Sequence, residues 1–288
     1  MSASRSSINR SRKYVIFKII IQIFKYVFLF LIAFAIIVPL FWLISTSLKP
    51  ESDIQSYPPK WLPNPVTSKS YFRAFEILPI GRFFFNSIIV AAIVVVSNVI
   101  CCSLAAYSLA RKKFPGVNLI FILILASMMI PMHVRVIPMY QMSLLLHLQD
   151  SFPGMALPIT VTGFGIFLMR QFFITLPKEV EDAATIDGCS DWGILFRIVI
   201  PMSLPAITSL AIFAFVWAFE DFLWPLLIIS RMDMRPIQVG ITLFLGLVVY
   251  EWGPVMATTT LTVVPMLIFY IILQKYFVQG MTTGAVKG

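Results

Sequence analysis

Charge is scarce in this 288-residue sequence: charged residues make up 12% and hydrophobic residues 59%, and the mean hydropathy is +0.91. Soluble globular domains carry about 25% charged residues, so this composition excludes an ordinary soluble domain. The sequence also lacks the segments of roughly ten residues, alternating polar and apolar, that are typical of a transmembrane barrel. We therefore expect an integral membrane protein built from helices.

Cysteine and the common catalytic motifs are also scarce. Cys101, Cys102 and Cys189 have neither metal-ligand spacing nor the pattern of a disulfide framework. No His-Glu-x-x-His, no Gly-x-Ser-x-Gly and no Gly-x-x-x-x-Gly-Lys-Ser/Thr occurs. The sequence therefore predicts no metal site and no catalytic site, and it excludes ATP hydrolysis by the usual phosphate loop.

The formal net charge is +9, but no basic stripe interleaved with aromatic residues accompanies it. Nucleic-acid binding, which needs clustered phosphate contacts, is therefore not expected. Contact with membrane lipid and the uneven distribution of Lys and Arg across a membrane explain the charge better.

Long apolar runs follow one another along the chain, and several exceed the roughly 18 to 20 residues that a helix needs to cross a bilayer core of about 30 Å. Pro131 and Pro138 fall in the third run and predict a kink or an early end there. The six predicted spans cover residues 26–48, 83–110, 117–139, 154–169, 206–229 and 255–273.

Lys and Arg form two clusters, one before the first span and one directly after the second, at Arg111 to Lys113. Because such clusters favour the cytoplasmic side, both termini are predicted to be cytoplasmic. The predicted organisation is a basic cytoplasmic N-terminus (1–25), a single transmembrane domain (26–277) with an external loop (49–82) and a cytoplasmic loop (173–205), and a cytoplasmic tail (278–288).

The cytoplasmic loop contains a polar, acidic insert that predicts two short helices joined at a glycine. Pro177 suits the start of a helix, and Gly188 can take the left-handed conformation that ends it. Ser190 can cap a second helix that ends near Pro201. We name this helix–glycine–helix segment, predicted to run from residue 178 to about residue 200, the elbow. Two functions remain open: docking of a cytosolic partner, or an amphipathic connector on the bilayer, whose polar face is usually basic rather than acidic.

The elbow and several further motifs resemble the maltose-type branch of the permeases of binding-protein-dependent ABC importers. Within the elbow the resemblance is carried by the run from Glu181 to Gly188. Elsewhere it is carried by Asn86-Ser87, Ala106-Tyr107, Ala110-Arg111, Ile130-Pro131, Ile137-Pro138-Met139-Tyr140, Phe167 to Phe173, Ile200-Pro201, Leu204-Pro205, Trp224-Pro225-Leu226 and Gly284 to Gly288.

This resemblance implies an all-α fold of six transmembrane helices with a cytoplasmic coupling loop, in the bacterial inner membrane. It implies a transport subunit rather than an enzyme, pairing with a second homologous permease, two ABC ATPase subunits and an external substrate-binding protein. ATP and Mg would be bound by the ATPases, and this chain would bind no cofactor. Asp182 stands where many members have Glu. The residues that match the coupling motif or flank it are Glu181, Asp182, Ala183, Ala184, Asp187 and Gly188.

The resemblance also implies a carbohydrate substrate, carried inward by alternating access. Candidate path residues are the polar groups at membrane depth, although Ser and Thr there commonly bond their own helix. Many relatives have Trp-Asn-x-Phe where this chain has Phe219-Glu220-Asp221-Phe222; the two carboxylates either line the path or lie solvated at the outer mouth. The candidates are Asn98, Thr162, Glu220, Asp221 and Thr259.

A basic outer mouth, with Arg82, Arg135, Arg231 and Arg235, leaves open an anionic ligand such as glycerol phosphate or a uronate oligosaccharide. A stand-alone ion-coupled carrier is a distant alternative, because its buried titratable relay would have to come from Glu220 and Asp221 alone. The sequence does not identify the substrate.

Overall fold

The computed structural model describes residues 2–245 and 251–285, with side chains placed at 17–244 and 251–274. All regular structure in these ranges is helical. Three helical stretches are long and apolar enough to cross a membrane, and three bent helix pairs bring the possible number of spans to six. The predicted all-helical architecture is confirmed. The three unbroken stretches are Phe17–Ser47, Ile80–Arg111 and Trp252–Gln274.

The chain divides into two units, of which the first comprises Met1–Phe72 and Trp252–Thr260. Its helix α1 (Ser2–Ser47) begins well before residue 26, because nothing in the basic N-terminal stretch breaks a helix. Its apolar side chains from Phe17 onward are almost all exposed within this chain. They are therefore left to face lipid or another protein.

A short helix, α2 (Glu51–Ile54), follows α1 in the predicted external loop. The Glu51 carboxylate accepts hydrogen bonds from the backbone N–H groups of Trp252, at 2.9 Å, and Gly253, at 3.0 Å. These are the first residues of the last helix, which runs from Trp252 to Ala285. A carboxylate is favourable at this position because the N–H groups of a helix start carry partial positive charge.

The loop is also held by the buried side chain of Lys49, which lies 3.9 Å above the Trp42 ring and donates to Thr46 Oγ1 at 3.2 Å. Burial lowers the pKa of the Lys49 ammonium, and the charge of Asp53 partly opposes that change. Trp42 in turn meets Trp61 edge to face, with ring centroids 5.1 Å apart. This cluster fixes the loop close to the end of α1.

The second unit comprises Arg73–Glu251 and Leu261–Gly288. It includes most of α3 (Lys69–Ile77) and is centred on α4 (Ile80–Arg111), which packs most extensively against α8 (Gly163–Thr175) and α12 (Leu204–Glu220). The buried positions of α4 recur every three or four residues, and they therefore lie on one face of the helix, which packs into the core. Buried positions along this face include Val90, Val94, Asn98, Cys102 and Ala106.

Two predicted spans, the third and the fourth, are bent pairs of helices; the remaining bent pair joins the helix Asp191–Met202 to α12 at 79°. Helix α5 (Val117–Met128) turns by 102° into α6 (Met132–Leu145), with Pro131 at the break, so the predicted kink of the third span is confirmed. The fourth span bends by 50° between a first part, α7 (Phe152–Ala156) and the 3₁₀ turn Leu157–Ile159, and α8.

The fifth predicted span, 206–229, is interrupted near its far end. Helix α12 ends at Glu220, and a separate helix, α13 (Leu223–Ile228), follows. Beyond it lie the 3₁₀ turns Met232–Met234 and Leu243–Leu245 on either side of α14 (Ile237–Thr242). Residues 246–250 of the last predicted loop lie outside the described residues.

The segment after α13 is tied to the start of α4 by two side chains. Asn86 Nδ2 donates to the carbonyls of Asp233 and Arg235, each at 2.9 Å, and Ser87 Oγ accepts from the Ile237 N–H at 2.8 Å. The Asn86-Ser87 motif therefore joins two parts of the fold that are far apart in sequence.

The last helix, which we label α15, continues through Ala285, so residues 278–285 of the predicted tail extend it. Residues 286–288 of that tail lie outside the described residues.

Candidate functional site: the elbow and the helix breaks

The elbow starts with helix α9 (Lys178–Ile186), capped by Asp187. Gly188 has φ +80°, a left-handed conformation that L side chains adopt at a cost. The Gly188 N–H donates to the Thr185 carbonyl at 3.1 Å and the Cys189 N–H to the Ala184 carbonyl at 2.9 Å. This pair of hydrogen bonds is the Schellman pattern that ends a helix. The predicted glycine hinge is present.

The second half of the elbow begins as predicted. Ser190 caps α10 (Asp191–Ile194), its Oγ accepting from the Gly193 N–H at 3.2 Å. The helix then widens into a π segment (Leu195–Val199) and ends with α11 (Ile200–Met202), near the predicted end at Pro201.

The hydrogen bonding changes locally around Pro201, where this helix ends. Proline has no N–H to donate, and the turn before Pro201 is π-helical. The Ser203 N–H bonds to the Ile200 carbonyl, and Ser203 Oγ donates to the Val199 carbonyl at 2.7 Å. The Val199 carbonyl, which the Ser203 N–H would bond in a continuing α-helix, is thereby satisfied at the helix end.

Helix α9 is anchored to the end of α4 by a charge pair. Arg111 Nε lies 2.7 Å from Glu181 Oε1, and each side chain is only 11% exposed. The two atoms are not aligned for a hydrogen bond, so the contact is an ion pair. Arg111 also donates to the Leu176 carbonyl at 3.0 Å. The sequence pattern places Glu181 in the coupling motif, whereas the structure turns its side chain inward.

A second, exposed charge pair joins the same elements. Lys112 Nζ lies 2.6 Å from Asp191 Oδ1, with the side chains 43% and 65% exposed. Arg170 adds a contact between α8 and α4, because its Nε donates to the Leu109 carbonyl at 3.2 Å and its guanidinium lies 4.0 Å from the Phe121 ring centre. Both halves of the elbow are thus tied to the end of the same long helix.

The outer face of the elbow is accessible. Asp182, Ala183 and Asp187 are exposed, whereas Ala184 is partly buried against the core. Ile186 is 87% exposed, and Trp192, 64% exposed, stacks on Phe196 with ring centroids 6.0 Å apart. Large exposed apolar side chains among polar neighbours are typical of a protein contact surface.

A cavity of about 390 Å³ lies where the breaks of two bent pairs meet. We name it the break cavity. Residues that line it include Ser127, Met128, Arg135, Thr162, Phe164 and Trp217.

Of the predicted path residues, two lie at the break cavity or directly behind it. Thr162 lines it and also caps α8, its Oγ1 accepting from the Gly165 N–H at 3.0 Å. Asn98 is fully buried and donates to the Ile159 carbonyl at 2.9 Å. Its amide therefore holds the backbone of the break in place, which the sequence could not indicate.

The other predicted path residues lie elsewhere. Glu220 is the exposed last residue of α12, and Asp221 accepts from the Trp224 N–H at 3.4 Å across the gap before α13. Of the two placements left open for them, the early end of the helix favours the outer mouth. Thr259 Oγ1 donates to the Val255 carbonyl of its own helix at 2.8 Å. A role for these three residues stays a prediction.

Two residues have contacts that the sequence does not indicate. Arg111 belongs to a motif and to a basic cluster, although an arginine at the end of an apolar helix, opposite an acidic loop, is also a signal for an anchor. Arg135, predicted at the outer mouth, lines the break cavity.

Among the side chains described, at 17–244 and 251–274, no group of three or more His, Cys, Asp or Glu could hold a metal ion.

Comparison with known proteins agrees with this arrangement. The chain is 34% identical over 252 residues to the sulfoquinovosyl glycerol transport system permease protein SmoH of Agrobacterium fabrum, covering 87% of this chain and 88% of that one. It is 30% identical over 266 residues to the arabinooligosaccharides transport system permease protein AraQ of Bacillus subtilis, covering 91% and 94%.

A similar fold occurs in a solved structure, a bacterial ABC transporter involved in the import of the acidic polysaccharide alginate. The match has a TM-score of 0.81 at 23% identity and covers 90% of this chain and 96% of the other. The family model described as binding-protein-dependent transport system inner membrane component matches residues 98–283, which include the elbow and the residues that line the break cavity. The chain therefore belongs to the family of inner membrane components of binding-protein-dependent transport systems.

Proposed function

We propose that this chain is the pore-forming subunit of an ATP-driven importer that carries a carbohydrate across the membrane by alternating access. The elbow carries the proposal, because it is a rigid, glycine-hinged surface anchored to the longest helix of the second unit. The names of the two relatives, a sulfoquinovosyl glycerol permease and an arabinooligosaccharide permease, support a carbohydrate substrate.

Membership of the family makes the chain a membrane-embedded permease that works with an ATPase and a binding protein. The finer assembly belongs to the proposal: a second homologous permease, two ATPase subunits that bind ATP and Mg, and an external binding protein. The chain itself would hydrolyse nothing and bind no cofactor. We place it in the bacterial inner membrane with both termini cytoplasmic, in keeping with its Lys and Arg clusters.

Coupling to the ATPases would be performed by the outer face of the elbow. A partner can approach the small residues Ala183 and Gly188 closely, beside the Asp182 carboxylate. Ile186 offers that partner an apolar anchor. Glu181, turned inward onto Arg111, would transmit the movement of α9 to α4 rather than contact the partner. Alternating access would follow if ATPase closure moves the elbow, because the two charge pairs connect it to the helices of the bundle.

The test is affinity purification of the tagged chain, expressed with its native neighbours and extracted in mild detergent, followed by mass spectrometry. We expect a soluble ATPase and a second multispan protein to be recovered with the wild type. Ile186→Asp should abolish recovery of the ATPase, because it puts a charge in the apolar anchor of the docking face. The variant should still fold, since the Ile186 side chain is 87% exposed. A matched control is Val66→Asp, 68% exposed in the predicted external loop, which should retain the ATPase.

Two results would contradict the proposal. A wild-type chain that purifies alone would favour the stand-alone carrier. Recovery of the ATPase by Ile186→Asp at the wild-type level would show that docking uses another surface.

A further inference from the structure

The break cavity lies between two helix interruptions that touch each other. Helix α5 ends at Met128 and α8 begins at Gly163; a Cβ atom on Gly163 would lie only 2.7 Å from Met128 Cγ. Non-helical backbone inside a membrane is stable only where protein buries it or where it lines a water-filled cavity. Two adjacent interruptions with a cavity between them are what a hydrated path requires.

The depth of the cavity follows from the lengths of these helices. Helix α5 has 12 residues and α8 has 13, which at 1.5 Å per residue gives about 18 and about 20 Å. Both run from the side of the elbow, because α8 ends at Thr175 just before α9 and α5 follows the Arg111–Lys112 anchor. In a hydrocarbon core of about 30 Å the breaks therefore lie about two thirds of the way across.

One wall of the cavity is aromatic. Phe164 and Trp217 meet edge to face with ring centroids 5.3 Å apart, and Phe213 contacts both of them at 5.2 and 5.7 Å. Such a cluster is rigid and offers a broad apolar surface. The cavity volume of about 390 Å³ lies in the range of ligand pockets, about 300 to 1,000 Å³.

Arg135 also lines the cavity, and its charge is not neutralised within the described residues. Its guanidinium makes no hydrogen bond or ion pair with any side chain or backbone carbonyl described, although the cavity is within the predicted membrane depth. A charged side chain there is costly unless it meets an anion or water.

Other arginines on the side of the molecule away from the elbow are differently placed. Arg73 is held by Glu251 at 3.2 Å, Arg82 donates to the Asp233 carbonyl at 3.2 Å, and Arg231 is held by the Asp233 carboxylate at 2.7 Å. Arg235 has no ion pair among the described residues either, but its Nε is buried and it does not line the cavity. Arg135 is therefore the arginine without a described partner that lines the cavity, and its planar fork fits the oxygens of a carboxylate, sulfonate or phosphate.

Resting on the carbohydrate import assigned above, we propose that the break cavity is a substrate contact in the translocation path and that the carried compound is an anionic carbohydrate. Arg135 binds the acid group, and the wall formed by Phe164 and Trp217 contacts the apolar face of a sugar ring. Thr162, which also lines the cavity, fixes the helix break beside them, because its Oγ1 accepts from the Gly165 N–H at 3.0 Å and lies 3.5 Å from Asn98 Oδ1.

The test is ATP-dependent uptake into liposomes that contain the complete complex and its binding protein. The probes are matched neutral and acidic sugars: galactose and galacturonate oligomers, and glucose with its 6-phosphate and its 6-sulfonate. We expect an acidic member to be imported in preference to its neutral counterpart. Arg135→Gln should lower its uptake by about tenfold or more, since a hydrogen bond to a charged group is worth that factor, and Arg135→Lys should lower it less.

The control is Arg82→Gln, which removes the same charge from the outer side but does not line the cavity, and it should leave the preference unchanged. Equal loss in both variants would assign the preference to the overall charge of the outer mouth and overturn the proposal. If Arg135→Gln lowers the uptake of acidic and neutral probes equally, Arg135 binds a partner carboxylate or a lipid phosphate rather than the substrate. That outcome would also overturn the proposal.

Failure of this inference can be told apart from failure of the proposed function. If only neutral sugars are imported and Arg135→Gln imports them normally, the carbohydrate importer stands and the anionic substrate is wrong. If the assembled complex imports no probe of either kind, both are wrong.

Discussion

The elbow and the break cavity both lie at interruptions of helices, but they differ in whether their basic side chains are paired. In the elbow, Arg111 and Lys112 are matched by Glu181 and Asp191 from the same chain. At the cavity, Arg135 is matched by no described carboxylate. A charge paired within the chain fixes a shape, whereas a charge without a partner is available to a ligand. This difference agrees with the proposed roles: the elbow transmits the movement of the ATPases, and the break cavity binds the substrate.

The largest expected effect comes from straining the hinge of the elbow. Gly188→Val puts a β-branched residue at φ +80°, which costs about 1–3 kcal/mol and should displace α10 from α9. We expect ATP-dependent uptake to fall to background while the protein remains folded. The control is Gly116→Val, at φ +85° with equally open surroundings in the turn before α5, and it should keep most of the uptake. Normal uptake by Gly188→Val would remove the hinge from the coupling mechanism.

A double-mutant cycle on the inner charge pair should give the next largest effect. Arg111→Met or Glu181→Met leaves one poorly solvated charge unpaired, at a cost of about 3 kcal/mol in the free energy of unfolding. The double variant should recover at least about 1 kcal/mol of that loss, measured by thermal unfolding in detergent together with ATPase recovery. Strictly additive losses would show that the two side chains stabilise the fold independently.

On the cavity side, removing the buried amide should loosen the helix break. Asn98→Ala leaves the Ile159 carbonyl without its donor and should lower the free energy of unfolding by about 1–3 kcal/mol. Ser97→Ala is the matched control, because Ser97 Oγ donates only to Ile93 and Val94 of its own helix, and its effect should stay within about 0.5 kcal/mol. Equal effects of the two substitutions would contradict a clamp at the break.

The smallest effect is expected for the exposed charge pair. Lys112→Met should lower the free energy of unfolding by less than about 1 kcal/mol, because both side chains are largely solvated. The difference from wild type should shrink further in high salt. A cost as large as that of Arg111→Met would mean that exposure does not distinguish the two pairs, and the contrast between inner and outer anchors would fail.

Much of the fold follows from residue patterns that act locally. The length of the apolar runs predicts the spans, Pro131 predicts the kink of the third span, and Gly188 with Ser190 predicts the elbow. The structure adds detail at the edges of these elements. Helix α1 begins at Ser2, ahead of the predicted span, because no breaker precedes it, and the second half of the elbow ends at Met202, near the predicted end at Pro201.

The sites were less predictable, because each depends on contacts between distant segments. Asn98 is a predicted path residue, and only the structure shows that its amide holds the Ile159 backbone, 61 residues away. Glu181 is predicted in the coupling motif, and only the structure shows that its side chain lies against Arg111. Neither direction can be read from spacing within a helix, since spacing fixes which residues share a face but not what that face meets.

By itself, the sequence determined that this protein lies in a membrane, that its spans are helical and where its hinge bends, because apolar run length, proline and glycine act on the chain nearby. Only the tertiary structure decided which charges are paired and which remain available. Whether an arginine finds a carboxylate depends on helices that meet after folding, and that meeting places Glu181 on Arg111 and leaves Arg135 facing a cavity.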